Sequence, residues 1–489
     1  MRPSILLLLL LVGQVSFAQY QLGLRTERYS GTSGLFLNPT SQLYNPLKWD
    51  LNLVGVGAFI SNNYTFLRQT STTDFLFSLS DKTDLIKAEH VEGSVAQDTY
   101  VIDFNNAKRR HYATTFGYVD GPALSVRIAE NHAVGIFSRA AVLGGSQDIP
   151  AVFSYYPYND RAFYDTFTVP KFQGAAMGWK EFGVNYAYKL PTYYGSLSFG
   201  INVRRLTTYE GAFITSDRPF RYTKLPDDVA TLENAEGEFG FTTTHLHANE
   251  FKPRKSGNGW AFDLAATALI DEDGYGGYRW RLSAALLDIG WARFTSAEKH
   301  HIGTDPSANI DLHDYMKYSN QLMHLDDIAR QFSYETMGDS LASLIGNSFT
   351  LALPASLSLQ ADYALNNLVF VNATLVQSIP TPLPSPQRGC ILALTPRLEH
   401  RWFSLSAPMV LYNWSSLRMG LAARLGYLVI GSDHVGSLFG QKDFYGTDFY
   451  VALKFNPFDL NLGWFGGGGS TGSGGKKIRR GGKVKCYQF

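Results

Sequence analysis

Cysteine, charge and long apolar runs are all scarce in this chain, and each shortage excludes something. Two cysteines, Cys390 and Cys486, cannot build a disulfide scaffold, and their spacing does not say whether they pair. Charged residues are only 17% of the 489, and 43 Lys+Arg against 42 Asp+Glu leave a net charge of +1. A chain so weakly charged and 45% apolar is not disordered. That near-zero net charge also gives no reason to expect a nucleic-acid partner, which needs positive charge clustered over a domain. After the N-terminus no run reaches the roughly 20 apolar residues of a membrane-spanning helix, and no fixed-period repeat points to a propeller.

What is present begins with an export signal. Arg2, the apolar stretch Ile5 to Val12 and the small-x-small run Ser16-Phe17-Ala18 before Gln19 predict a cleaved signal peptide over 1–18. No cysteine stands near Gln19, so the thiol of a lipoprotein is missing.

Alternation then dominates. Leu197, Phe199, Ile201 and Val203 interleave with Ser198, Gly200, Asn202 and Arg204, while Phe182, Val184, Tyr186, Tyr188 and Leu190 interleave with Glu181, Gly183, Asn185, Ala187 and Lys189. Phe349 to Leu359 repeats the pattern on odd positions, with Pro354 as a break that a bulge must absorb. So does the run from Leu417 to Val429, which reads as one strand. Strands of about nine to eleven residues with one apolar and one polar face are the pattern of transmembrane β-structure. In lipid an unpaired backbone group finds no water, so such a sheet must close.

The fold class expected is therefore all-β, a closed antiparallel transmembrane barrel. Thirteen strands are legible: 50–61, 111–128, 132–143, 181–190, 196–206, 260–269, 278–289, 349–361, 367–377, 391–400, 402–409, 417–430 and 447–455. Even strand numbers are the rule, so one is missing, and about 14 strands are expected within a range of about 12 to 16. The organisation predicted is a signal peptide (1–18), an N-terminal segment that is a plug or the barrel mouth (19–49), the barrel (50–460) and a Gly-rich basic tail (461–489). Connections at 130–131, 191–194, 271–277 and 362–366 are short; those at 145–178, 211–257 and 297–347 are long and are expected to face outward. Leu322, Leu325, Ile328, Ala329 and Phe332 have helical spacing within 320–345, in a segment that caps or plugs the barrel. The tail joins a Gly/Ser linker to Lys476, Lys477, Arg479, Arg480, Lys483 and Lys485, suited to anionic headgroups or an acidic partner.

Catalytic motifs are weak. Gly338-Asp339-Ser340-Leu341 spells a lipolytic nucleophile block, but no Asp-x-x-His accompanies it. Gly468-Gly469-Ser470-Thr471-Gly472 lies in a linker that cannot hold a strained elbow. The phosphate-loop imitation at 472–477 has Lys477 where Ser or Thr belongs. His245-x-His247 and His300-His301 offer imidazoles without H-E-x-x-H spacing or nearby Cys. No catalytic residue, metal or cofactor is therefore assigned. The alternation points Arg127, Arg139, Glu181, Lys189, Arg204, Asp263, Arg281, Arg418 and Arg424 into the lumen. There they either brace the barrel or line a wet path, and their excess of arginine would bias a pore towards anions.

Several stretches together resemble a known group. Ser33 to Pro39 with Lys48 to Leu53, Gly259 to Leu264, and Leu286 to Trp291 are similar to barrels of the long-chain fatty-acid transporter type. Leu421 to Asp433 and Gly446 to Val451 resemble an uncharacterised Bacteroidota outer-membrane family with a domain of unknown function. The resemblance implies a fold and an outer-membrane location, and carries over no functional residue. Together with the architecture and the inward polar residues it favours a non-enzymatic barrel that passes, takes up or sequesters a small solute, with hydrophobic solutes among the candidates. The alternatives are an accessory barrel binding envelope or secretion-system proteins and, more remotely, a lipolytic hydrolase. Outer-membrane lipid is the expected surrounding, with no nucleic acid.

Overall fold

The computed structural model describes residues 20–71, 84–88, 99–105, 111–153, 161–248, 252–272, 277–317, 321–436 and 443–456. The predicted signal peptide and tail, with Cys486 and the two tail motifs, lie outside the described residues. Fourteen antiparallel wall strands, numbered here in chain order, close into a barrel. They are β1 (Trp49–Asn62), β2 (His111–Asp120, continued by Ala123–Ala129), β3 (His132–Ile149), β4 (Gln173–Thr192), β5 (Gly195–Ser216), β6 (Gly257–Ile270) and β7 (Trp280–Phe294). There follow β8 (Phe349–Ala352 and Ser356–Ala364), β9 (Val369–Ser378), β10 (Ile391–Glu399), β11 (Phe403–Ser406 and Met409–Tyr412), β12 (Ser416–Met419 and Leu421–Leu425), β13 (Leu428–Ser432) and β14 (Gly446–Phe455). Closure is the pairing of β14 with β1, from Leu51 opposite Phe455 to Ser61 opposite Gly446.

The fourteenth strand was hidden inside 417–430. Gly426-Tyr427 turns the chain, so that Leu425 pairs with Leu428 and Arg424 with Val429. A two-residue hairpin pairs an odd with an even position, which reverses the phase of the alternation. Leu421 and Leu425 face outward, as do Leu428 and Ile430, while Val429 is 1% exposed. Pro354 has a similar effect in β8: the ladder breaks over 353–355, leaving Phe349 and Leu351 buried on one side of it and Leu359 exposed on the other.

Connections alternate short and long as far as β10. After it three successive turns are tight, ending the strict alternation. The wall strands β3, β4 and β5 run several residues into stretches expected to be loop, and the loops carry structure of their own. Glu236–Thr242 and Ala297–Gly303 pair with each other and extend the wall beyond β6 and β7. Four strands (Thr166–Val169, Phe220–Lys224, Val229–Glu233, Ser307–Asp311) form a separate sheet. The helix foreseen in 320–345 spans Leu325–Met337 and places Phe332 6.5 Å from Phe239. It therefore packs on the wall extension and does not fill the lumen.

Gly426 has φ +59°, in the left-handed region, with open space where a Cβ would stand. Gly426→Ala is expected to cost about 1–2 kcal/mol through backbone strain alone. Gly117→Ala, equally unobstructed and without a positive φ, should leave urea unfolding of the barrel unchanged.

Candidate functional site: a filled lumen and a groove on the outer wall

The interior is built around the chain's own N-terminal segment. Between residues 20 and 45 only Phe36 and Tyr44 are less than fully buried. This segment touches every wall strand, which only a segment inside the ring can do. Thr32 N and Oγ1 donate to Asp50 of β1 (2.9 and 2.7 Å), and Ser125 of β2 donates to Gln42 (2.8 Å). Phe36 meets Phe137 of β3 edge to face at 5.0 Å. Asn185 of β4 and Asn202 of β5 donate to Pro39 O and Leu35 O, each at 2.9 Å. Asn38 donates to Thr267 of β6 (3.1 Å), Arg281 of β7 to Thr26 O (2.8 Å), and Gln360 of β8 to Leu37 O (3.3 Å). Arg28 lies 4.3 Å from the ring of Phe370 of β9 and donates to Glu399 of β10 (2.9 Å). Ser406 of β11 donates to Gly23 O (3.2 Å), and Arg424 of β12 to Glu27 (3.1 Å). Leu24 packs with Val429 of β13, and Lys454 of β14 donates to Tyr29 O (3.3 Å). A buried backbone group left unpaired costs about 1–3 kcal/mol, and here polar wall residues supply partners beyond those that the segment's own short helical turns provide.

Of the nine ionisable residues singled out by alternation, seven are buried in the wall's inner packing, while Arg127 and Lys189 are half-buried. Arg204 bridges Glu181 (3.2 Å), Asp263 (2.6 Å) and Asp288 (2.8 Å), and Asp288 also holds Arg388 (2.7 Å). Arg139 pairs with Asp120 at 2.6 Å and stacks over Phe36, 3.4 Å from its centroid. Arg281 stands 3.5 Å from Asp362, Lys189 pairs with Glu272 at 2.5 Å, and Arg424 takes Glu27. Arg418 donates to Ser61 at 2.5 Å over the ring of Tyr412, and half-buried Arg127 reaches Leu43 O at 3.5 Å. Most of these cations thus have carboxylate partners among the described residues, while Arg127 and Arg418 meet a carbonyl and a hydroxyl.

The partners are mostly residues that alternation did not reveal. Asp288 would face outward with Leu282 and Leu286. A bulge sets Leu287 and Asp288 against Asp263, and at φ +55° the Asp288 carboxylate turns inward. Arg397 and Glu399 lie on β10, where Arg397 grips Asp362 with two bonds of 2.7 Å and Glu399 with one of 2.5 Å.

The motif residues separate. Ser340 is exposed, with no histidine in hydrogen-bond reach among the described residues. Ser343, His300 and Glu298 line up at 2.9 and 3.2 Å, but Ser343 is fully buried and meets Nδ1 of the imidazole. Burial against Phe239 and Phe241 holds His300 below the usual histidine range despite Glu298. A nucleophile needs access, so this trio is packing. Neither histidine pair acts as a pair: His245 bonds Glu210 and Leu322 O (3.0 and 3.1 Å), while His247 turns towards Asp326.

The outer face has the opposite character. On β5 Leu197, Phe199, Ile201 and Val203 point outward between the exposed turn Tyr193-Tyr194 and Arg205. Ten residues of tilted strand, at about 3.3 Å each and about 40°, span roughly 25 Å, the height of a transmembrane apolar band. At its upper edge Trp260 pairs with Trp291, and Arg205 lies 4.9 Å from the Trp260 ring. Lys180, Thr207, Asn258 and Arg293 form the next row across β4 to β7. Among the described residues no helix is long and apolar enough to cross a membrane; the crossing is by strands. Above β1–β5 a cavity of about 710 Å³ opens on this outer wall. Its floor is of small outward residues, including Gly117, Ala140, Ala176, Gly178 and Ala212, its rim is Lys180 and Tyr209, and its roof is His245, Pro253, Leu322 and Leu325.

A closed barrel with an apolar girdle and interfacial tryptophans is an outer-membrane β-barrel. The chain belongs to the Family of unknown function (DUF5723), which matches residues 39–433. No curated protein matches the sequence. Solved structures of similar architecture include the P. putida toluene transporter TodX (8% identity, 88% of this chain and 95% of that chain, TM-score 0.30). Others are the translocator domain of the autotransporter NalP from Neisseria meningitidis (9%, 89% and 99%, 0.31) and a Pseudomonas aeruginosa FadL homologue (10%, 90% and 99%, 0.24). The likeness extends to general architecture only.

Removing Arg397 takes the closest cation from two buried carboxylates, leaving Asp362 with Arg281 at 3.5 Å and Glu399 with Arg28 at 2.9 Å. Arg397→Met is expected to destabilise the barrel by about 3–5 kcal/mol, read as a lower temperature of the heat-induced gel shift. Arg293→Met on the lipid side should not move it.

Proposed function

We propose that the protein is a barrel closed at rest by residues 20–48, which handles a small, largely apolar solute at its outer wall and not through an open lumen. The observation that carries this is the groove, with its apolar small-residue floor, polar rim and loop roof. A volume of about 710 Å³ suits a small organic molecule. A solute caught beneath the roof meets apolar surface continuous with the membrane, while the filled lumen gives it no competing aqueous route.

A second reading, an accessory barrel that binds proteins, draws support from aromatic side chains on the loops: Phe163 is 57% exposed and Tyr164 70%. Replacing both with serine should abolish a partner interaction and leave the groove intact.

The groove is tested by saturation binding of N-phenyl-1-naphthylamine to the protein in nanodiscs, against nanodiscs without protein. One saturable site is expected. Ala176→Trp, which fills the floor, should weaken it at least tenfold, and Leu286→Trp elsewhere on the lipid face should leave it unchanged. Binding that never saturates, or that ignores Ala176→Trp, would defeat the reading.

A further inference from the structure

Two imidazole–carboxylate hydrogen bonds lie side by side beyond the wall. His247 Nε2 is 2.9 Å from Asp326 Oδ2, and His324 Nδ1 is 3.0 Å from Asp327 Oδ2. The two rings meet edge to face at 5.1 Å, and ligand atoms of His247, His324 and Asp327 all lie within 4.8 Å of one another. His247 and Asp326 are 79 residues apart in the chain, yet their backbones are tied: His247 N donates to Met323 O at 2.9 Å. Behind them, Arg330 holds Asp326 at 3.1 Å.

We propose that His247, His324 and Asp327 form a binding site for a divalent transition metal of zinc-like chemistry. Two imidazoles and one carboxylate are a borderline donor set that suits Zn²⁺, and three protein ligands leave a position for water. Asp326, fixed by Arg330, is the outer carboxylate that orients His247. Tetrahedral bonds of about 2.0–2.1 Å bring donors to roughly 3.3 Å from one another. The present separations close to that by side-chain rotation, for which the 52% exposure of His247 and 34% of His324 leave room. Binding needs the neutral imidazoles, so it releases any proton they hold and weakens as pH falls.

The site joins two stretches of the groove roof, since His245 precedes His247 and Leu322 and Leu325 flank His324. The metal would staple that roof. This consequence rests on the groove reading; the metal site itself does not, and loss of probe binding with zinc binding intact would defeat the groove alone.

Zinc titration by calorimetry of the full chain, folded in detergent and cleared of metal, tests the site. One Zn²⁺ per chain is expected. His247→Ala, His324→Ala and Asp327→Asn should each weaken it at least tenfold, with the gel shift of a folded barrel retained. His313→Ala and Cys486→Ser should bind as the natural chain does. Co²⁺ should give the intense visible bands of a four-coordinate site, lost in His247→Ala. No zinc binding, binding indifferent to His247 and His324, or binding lost in Cys486→Ser would overturn the proposal.

Discussion

A backbone amide or carbonyl in hydrocarbon has no water to bond, and that constraint shapes both faces of this wall. It forces closure, and here β14 pairs with β1 along ten residue pairs. It also governs what can fill the lumen. Residues 20–48 hold only short helical turns, which pair part of their backbone, and the polar groups left over need partners from the wall. Asparagine, glutamine, serine, threonine and arginine on the inner face provide them, on strands all round the ring.

The buried charges belong to the same account. An ion pair taken out of water gains little net stability, but an unpaired buried charge is severely unfavourable. The inner network therefore does more to fix position than to add stability. Arg28 of the inner segment and Arg397 of the wall share Glu399, so the segment's seat and the wall's bracing are one structure. Lys454 does the same with Asp50, which also receives Thr32.

Fold and membrane crossing were legible because a half-lipid, half-polar strand writes its period directly into the sequence. The errors arose where the period changes phase without a break in composition. Gly426-Tyr427 reverses it inside an apolar run, and Pro354 shifts it within β8. The bulge at Asp288 hides an inward carboxylate in an outward position, which made arginine look unpaired. The inner segment has no period to read, since its order is imposed by the wall. The groove and the histidine–aspartate cluster were illegible for another reason: each unites residues distant in the chain, His247 with His324 in one case and strands β1 to β5 with Leu322 in the other. No local pattern records such a meeting.

The central claim is that the lumen is occupied by residues 20–48. Conductance of the purified, refolded protein in a planar bilayer tests it most directly, beside a variant lacking 20–45 that circular dichroism shows to be β-structured. The account predicts a silent bilayer for the full chain and discrete conductance steps for the variant. Steady open-channel steps from the full chain would contradict it.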